Sequence, residues 1–241
     1  MNEFEIAAKI PNEPVGWLET KLSKTVMMRL QSYITTAKKN PINWNRELVG
    51  NISKSLLLED KDDWFFQTIL IPLIGKFTES YPSYMSSISI FTEDAPYCLN
   101  KLWVNFQKKH EFNPLHNHSG VFSFVIWVKI PTDWREQHAL PISVNSNKPS
   151  VFEQDKVTTI NCSSNFEFQH FSMLGNPSSY QYFLDKKSEG LMLFFPAKLQ
   201  HTVYPFYNCD KERISISGNI SFNTSENAIR QYRSHQKAIN V

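Results

Sequence analysis

The sequence predicts a mainly β fold with flanking helices: a jelly-roll core buttressed by helices from the N-terminal third. Three observations lead there. Residues 1–85 hold long segments with apolar side chains at mixed spacings of three and four, the helical signature. From about residue 86 the chain breaks into short apolar or alternating segments separated by turn residues. Eight such segments are what a double-sheet jelly roll needs.

Two stretches carry the helical pattern, residues 20–39 (TKLSKTVMMRLQSYITTAKK) and 62–80 (DDWFFQTILIPLIGKFTES). Asp62 and Asp63 suit the start of the second, by capping and by the macrodipole, and Pro72 should kink or shorten it. The strand candidates are residues 86–91, 101–109, 121–130, 166–171, 180–184, 191–195, 202–207 and 212–222. Residues 132–189 are polar and poorly periodic, broken by Pro141, Pro149 and Pro177, and read as an insertion of loops with one or two strands. After the core at 86–222, residues 223–241 should form a surface helix with Ser225 as its N-cap and Arg230, Arg233 and Lys237 on a solvated face. No composition shift divides residues 1–241, so a single domain is expected.

At 41% hydrophobic and 14% aromatic, the 241 residues can fill a core. The 25 basic and 23 acidic side chains leave a net charge of only +2, which gives no basic field for nucleic acid. Cys98, Cys162 and Cys209 are odd in number and form no C-x-x-C pair, as expected of ordinary thiols in a reducing compartment. The N-terminus has no apolar signal region and no run approaches a membrane span, so the expectation is a soluble cytoplasmic protein.

The segment NPLHNHSG, residues 113–120, places His116 and His118 just before the apolar run at 121–130. On an extended segment, residues i and i+2 project to one side, so both imidazoles can converge on one ion. His201 follows the apolar strand LMLFFP and a tight loop, 83 residues beyond His118, and is the natural third ligand. Imidazole suits iron, zinc, copper and nickel alike. His110, His138, His170 and His235 lack such placement. Two strands alternate: in RISISGNI, Arg213, Ser215, Ser217 and Asn219 share a face, and in LWVNFQ, Trp103, Asn105 and Gln107 do. Either polar face could line an interior or meet solvent.

The stretches NPLHNHSGVFSFVIWVKIP and GLMLFFPAKLQHTVYPFYNCDKERISISGNISF resemble the 2-oxoglutarate and Fe(II)-dependent oxygenases, in particular a prolyl-hydroxylase-like branch of bacteria and tailed phages. The resemblance spans residues 101–222 and implies a double-stranded β-helix, Fe(II), 2-oxoglutarate as co-substrate and O2. It places the metal ligands at His116, His118 and His201. It places the far carboxylate of 2-oxoglutarate on Arg213 and Ser215, in the family's Arg-x-Ser pattern. A guanidinium fork can give such a carboxylate two parallel charge-assisted hydrogen bonds. Asn105, Gln107 and Asn219 could add hydrogen bonds to the co-substrate or to metal-bound water. The implied reaction is a hydroxylation, with a prolyl or other protein side chain as the first substrate by family analogy and a nucleobase or small metabolite as alternatives.

One position departs from the wider superfamily, which has an acidic residue where this chain has His118. Either His118 ligates, giving a three-histidine centre with one less negative charge, or water or an acidic group such as Glu111 fills the position. Two rival readings follow: a cupin-like three-histidine metalloenzyme that does not use 2-oxoglutarate, and a non-catalytic jelly-roll module with structural histidines.

Overall fold

The structure, a computed structural model, describes residues 16–88, 95–145, 161–171 and 175–239. Its strands are β1 (Leu18–Lys21), β2 (Ser55–Leu57), β3 (Tyr97–Gln107), β4 (Asn113–His116), β5 (Phe122–Lys129), β6 (Phe166–Phe171), β7 (Pro177–Tyr182), β8 (Leu191–Pro196), β9 (Gln200–Val203) and β10 (Arg213–Phe222). They form a six-stranded sheet in the order β1-β8-β5-β10-β3-β2 and a four-stranded sheet in the order β4-β9-β6-β7. Neighbours in both are antiparallel, and the two sheets face one another as a double-stranded β-helix.

The N-terminal third does more than supply helices. It adds an edge strand at each side of the large sheet, with Leu18 opposite Phe194 and Ser55 opposite Asn105. Both strands cover backbone groups that the core would otherwise leave open. The described part of residues 132–189 holds two strands, as expected: β6 and β7 make up half of the small sheet, and the short helices Trp134–His138 and Pro141–Asn145 precede them. The expected strand at 86–91 instead begins in a helical turn at Tyr84–Ser87, and its remainder lies outside the described residues.

The first long helix, Lys24–Lys39, starts later than periodicity predicts because Ser23 accepts a hydrogen bond from the Val26 amide at 3.3 Å. Its Leu30, Tyr33, Ile34 and Ala37 turn inward. The second helical stretch opens on Asp60, whose carboxylate oxygens accept from the amides of Phe65 and Phe66, each at 2.8 Å. Asp62 and Asp63 do not cap it. They sit in a turn with φ of 60° and 51°. A π-helical stretch at Phe66–Leu70 runs directly into the helix Ile71–Ser80, so that Pro72 stands in the first turn of the α-helical part, where the hydrogen-bond pattern changes. The C-terminal helix, Glu226–Ile239, opens on Ser225, which accepts from the Ala228 amide at 3.4 Å. No helix among the described residues is long and apolar enough to cross a membrane.

Two cores result from the two faces of the large sheet. Phe122, Phe124 and Ile126 of β5, Ile214, Ile216 and Ile220 of β10, and Val104 and Phe106 of β3 pack against the N-terminal helices through Phe65, Phe77 and Ile34. Each such side chain contributes about 1.5–3 kcal/mol on burial. Gly218 interrupts this apolar face because a Cβ there would stand 2.5 Å from the Phe124 ring and 2.8 Å from the Lys101 carbonyl. The opposite face of β5 packs Val125 and Trp127 between the sheets, against Phe166, Phe168, Leu193 and Phe195. That inner core fills only part of the barrel. The polar faces of β3 and β10 also point inward, with Ser217 opposite Trp103, Ser215 opposite Asn105 and Arg213 opposite Gln107.

Candidate metal centre

Three strand ends bring the histidines together. His116 closes β4 directly opposite His201 of β9, and His118 lies two residues further on, tied by its amide to the Ala197 carbonyl at 2.8 Å. Gly120 then turns the chain into β5 with φ of 98°, and a Cβ there would meet the Ile220 carbonyl at 2.6 Å. The segment NPLHNHSG therefore needs its glycine to reach the strand.

The ring nitrogens of His116, His118 and His201 lie within 4.8 Å of one another. His116 Nδ1 is 2.7 Å from the Pro114 carbonyl and His201 Nδ1 is 2.9 Å from the Leu199 carbonyl. A carbonyl can only accept, so each Nδ1 carries the proton and each Nε2 keeps its lone pair. His118 Nε2 and His201 Nε2 stand 3.2 Å apart. Two nitrogens bound at about 2.1 Å to one ion, and about 90–109° apart, would be separated by about 3.0–3.4 Å. The spacing fits a shared metal.

Burial lowers all three basicities. His116 is held below the usual imidazole range by burial, His118 is pushed down to about 3 by burial and the nearby His116, and His201 lies well below its ordinary value for the same reasons. Neutral imidazoles are the ligating form. In the unfolded chain these groups titrate near 6.5. Between that value and the folded ones the unfolded state binds more protons, so stability rises with pH across this window. The metal-free protein is expected to keep its full stability above about pH 6.5 and to lose it progressively toward the value of about 3 set by His118. Urea midpoints measured from pH 8 to 4 check this; a flat profile would contradict it.

Beside the cluster lies a cavity of about 330 Å³ whose walls include all three histidines. That is at the low end of the range of about 300–1,000 Å³ typical of small-molecule sites. Asn105, Ser215, Ser217 and Asn219 line its large-sheet wall, and Val125, Phe166 and Phe195 supply apolar surface. Asn105 Oδ1 accepts from Ser55 Oγ at 2.7 Å, and Asn219 Oδ1 accepts from Ser123 Oγ at 3.1 Å. Trp103 stands over His118, with 5.8 Å between ring centroids. Trp44, Glu47, Leu48, Val49 and Gly50 line another side of the cavity, and Lys101 Nζ lies 5.1 Å from the centre of the Trp44 ring.

Not every residue singled out from the sequence reaches this cavity. Gln107 does not line it: Nε2 donates to the carbonyls of Glu111 at 2.6 Å and Tyr204 at 3.3 Å, and Oε1 accepts from Arg213 at 3.4 Å. Glu111 is elsewhere, its carboxylate accepting from the amides of Ser53 and Lys108. Arg213 is fully buried, one step beyond Ser215 on the same strand face, and does not line the cavity either. Its Nη2 donates to both the carbonyl and the hydroxyl of Ser164, at 2.9 Å and 2.5 Å. Its Nε has no hydrogen-bond partner, and no carboxylate among the described residues pairs with it. Burial alone pushes the guanidinium down to about 9. A buried cation with neutral partners and an orphaned donor fits an anionic ligand. Ser164 and the 44–50 wall were not read from the sequence, since neither belongs to a periodic or motif-bearing segment.

Residues 101–219 match the family model described as "Putative 2OG-Fe(II) oxygenase". No curated protein sequence matches the chain. Among solved structures, the Pseudomonas putida prolyl-4-hydroxylase is similar at 11% identity and a TM-score of 0.49, covering 86% of this chain and 92% of that one. A viral collagen prolyl hydroxylase from Paramecium bursaria Chlorella virus-1, in complex with 2-oxoglutarate, is 13% identical with a TM-score of 0.42, over 85% and 94% of the two chains. A Trichoplax adhaerens prolyl hydroxylase, bound to a hypoxia-inducible-factor peptide, is 10% identical with a TM-score of 0.44, over 91% and 86%.

Proposed function

We propose, on the match of residues 101–219 to the 2OG-Fe(II) oxygenase family, that the chain is such an oxygenase, using Fe(II) and 2-oxoglutarate. His116, His118 and His201 hold the iron. The distal carboxylate of 2-oxoglutarate sits at the Ser215 end of the cavity, neutralised by Arg213. The observation that carries this reading is the convergence of three histidine ring nitrogens beside a row of inward polar side chains that runs from Asn219 through Ser217 and Ser215 to a buried cation without a carboxylate partner among the described residues.

When bound, the iron would supply the oxidising chemistry with O2 as the oxidant: one oxygen atom enters 2-oxoglutarate as it loses CO2 to become succinate, and the other is inserted into a substrate C–H bond. The protein's part is binding, orientation and exclusion of water. The Pro114 and Leu199 carbonyls hold His116 and His201 in the ligating tautomer. Ser55 occupies the Asn105 Oδ1, which leaves the amide nitrogen of this cavity-lining side chain to serve as a donor to the co-substrate. Val125, Phe166 and Phe195 keep the inner wall dry, which strengthens the charge interaction at Arg213.

His118 takes the place of the superfamily's acidic ligand. A carboxylate of shorter reach adds negative charge without demanding a new fold, so His118→Asp is expected to keep iron binding within about tenfold of wild type, whereas His118→Ala loses about 100-fold or more. Iron titration of both variants checks this; equal affinities in wild type and His118→Ala would remove His118 from the ligand set.

The substrate class we propose is a peptide or protein side chain, with prolyl first. The partly solvent-facing wall supports it: Trp44, Leu48 and the exposed Val49, beside Glu47, offer apolar surface against which a peptide can pack while one side chain enters the cavity. A succinate-release assay over peptides containing prolyl, lysyl, asparaginyl and histidyl residues tests it. Stimulation by a prolyl peptide above substrate-free turnover is expected; stimulation only by nucleosides or small metabolites would contradict it.

A further inference from the structure

Ser164, two residues before β6, lies against the Arg213 guanidinium. It lies fully buried there in a left-handed conformation, φ 68°, which L side chains other than Asn and Asp rarely adopt. In this conformation its carbonyl and its hydroxyl both receive the same nitrogen, Arg213 Nη2. Its amide donates to the Pro205 carbonyl at 2.8 Å and its hydroxyl meets Thr132 Oγ1 at 3.1 Å, so the acceptor pair is itself held in place. The residues around it are braced in turn. Ser163 bonds Ser143 at 2.6 Å and His138 at 3.1 Å, and Gln137 of the short helix Trp134–His138 exchanges two hydrogen bonds with Tyr207. Gln107 takes Arg213 Nη1, and Phe206 lies flat under the guanidinium with its centroid 5.0 Å away.

We propose that Ser164 is a positioning residue for Arg213: by holding Nη2, it aims the guanidinium at the distal carboxylate of the dicarboxylic co-substrate and so sets the preference for 2-oxoglutarate over 2-oxo monoacids. The inference rests on the reading that Arg213 receives that carboxylate. Glycine adopts φ 68° without strain but removes the hydroxyl, so a merely structural serine would show its loss in stability alone, toward both ligands alike. A positioning serine would show it in selective loss of the dicarboxylate, because its hydroxyl is half of the clamp. Unclamped, the buried guanidinium gains rotamer freedom that binding must then remove.

The test is calorimetric titration of the protein, loaded with Mn(II) to prevent turnover, with 2-oxoglutarate and with 2-oxovalerate, which has the same chain length but no distal carboxylate. Ser164→Gly and Ser164→Ala are expected to bind 2-oxoglutarate about tenfold more weakly, the scale of one hydrogen bond to a charged group, with 2-oxovalerate and Mn(II) affinities within about twofold of wild type. The glycine variant relieves the backbone, so it remains informative if the alanine variant does not fold. Wild-type 2-oxoglutarate affinity in Ser164→Gly, or equal weakening toward both ligands, overturns the positioning role. Arg213→Met run in parallel separates the two claims: if it leaves the preference for 2-oxoglutarate over 2-oxovalerate unchanged, the assignment of Arg213 itself fails, and the role of Ser164 with it.

Discussion

Arg213→Met is expected to leave the metal-free protein at least as stable as wild type while weakening 2-oxoglutarate binding by roughly two orders of magnitude. The two effects have one cause. The guanidinium is fully buried, its Nε is unpartnered, and Ser164, Gln107 and Phe206 offer it only neutral contacts. Holding a charge in such a site is unfavourable, and a hydrophobic replacement of similar volume is often neutral or stabilising by about 1–4 kcal/mol. Methionine is long and flexible enough to occupy the space over Phe206. With a dicarboxylate present the balance reverses, since losing one partner of a buried charge pair costs about 2–5 kcal/mol of binding. Thermal unfolding with and without 2-oxoglutarate reads both effects at once: wild type should gain stability from the ligand and the variant should not. A variant that is much less stable without ligand would mean that Arg213 is a structural group rather than a binding one.

His201→Ala should abolish iron binding and turnover together. His201 is the most buried of the three histidines, 4% exposed, and its Nδ1 is committed to the Leu199 carbonyl, so Nε2 has a single direction in which to act. Outer-shell changes around metal ligands already cost about 10–100-fold in affinity, and loss of a ligand from a three-histidine set costs more. The surrounding Phe166, Phe168 and Phe195 rings should hold the vacated space with the fold intact. Iron content after anaerobic reconstitution, with far-ultraviolet circular dichroism to confirm folding, checks the expectation. Stoichiometric iron in this variant would remove His201 from the site.

The site was more legible in the sequence than its supports were. An i, i+2 histidine pair and a strand-entry histidine are local patterns, and so is the alternation that puts Arg213, Ser215, Ser217 and Asn219 on one face. The long strands β3, β5 and β10 were visible for the same reason, with ten, eight or more residues of pattern to read. Short edge strands carry no such pattern. β4 has four residues, one of them Pro114, and β2 has three, so tertiary pairing alone makes them strands. Local chemistry also misled where two acids competed: Asp62 and Asp63 stand next to the helix, yet Asp60 is the one whose carboxylate reaches both free amides. Ser164 could not have been found, because its conformation answers to an arginine 49 residues away.

The same logic places Gln107 in a different role from the one its face suggests. It shares the inward face with Asn105, but its amide is consumed by the Glu111 and Tyr204 carbonyls and by Arg213, so it braces the arginine. Face membership decides which way a side chain points; what it meets there depends on how far along the barrel it lies.

The central claim is that His116, His118 and His201 hold iron to which 2-oxoglutarate binds with its far end at Arg213. Anaerobic titration of the Fe(II)-loaded protein with 2-oxoglutarate, followed by visible absorption, tests it most directly. A metal-to-ligand charge-transfer band should grow to one equivalent in wild type, require far more 2-oxoglutarate in Arg213→Met, and be absent in His201→Ala. Iron bound stoichiometrically by wild type, with no band at saturating 2-oxoglutarate, would contradict the account.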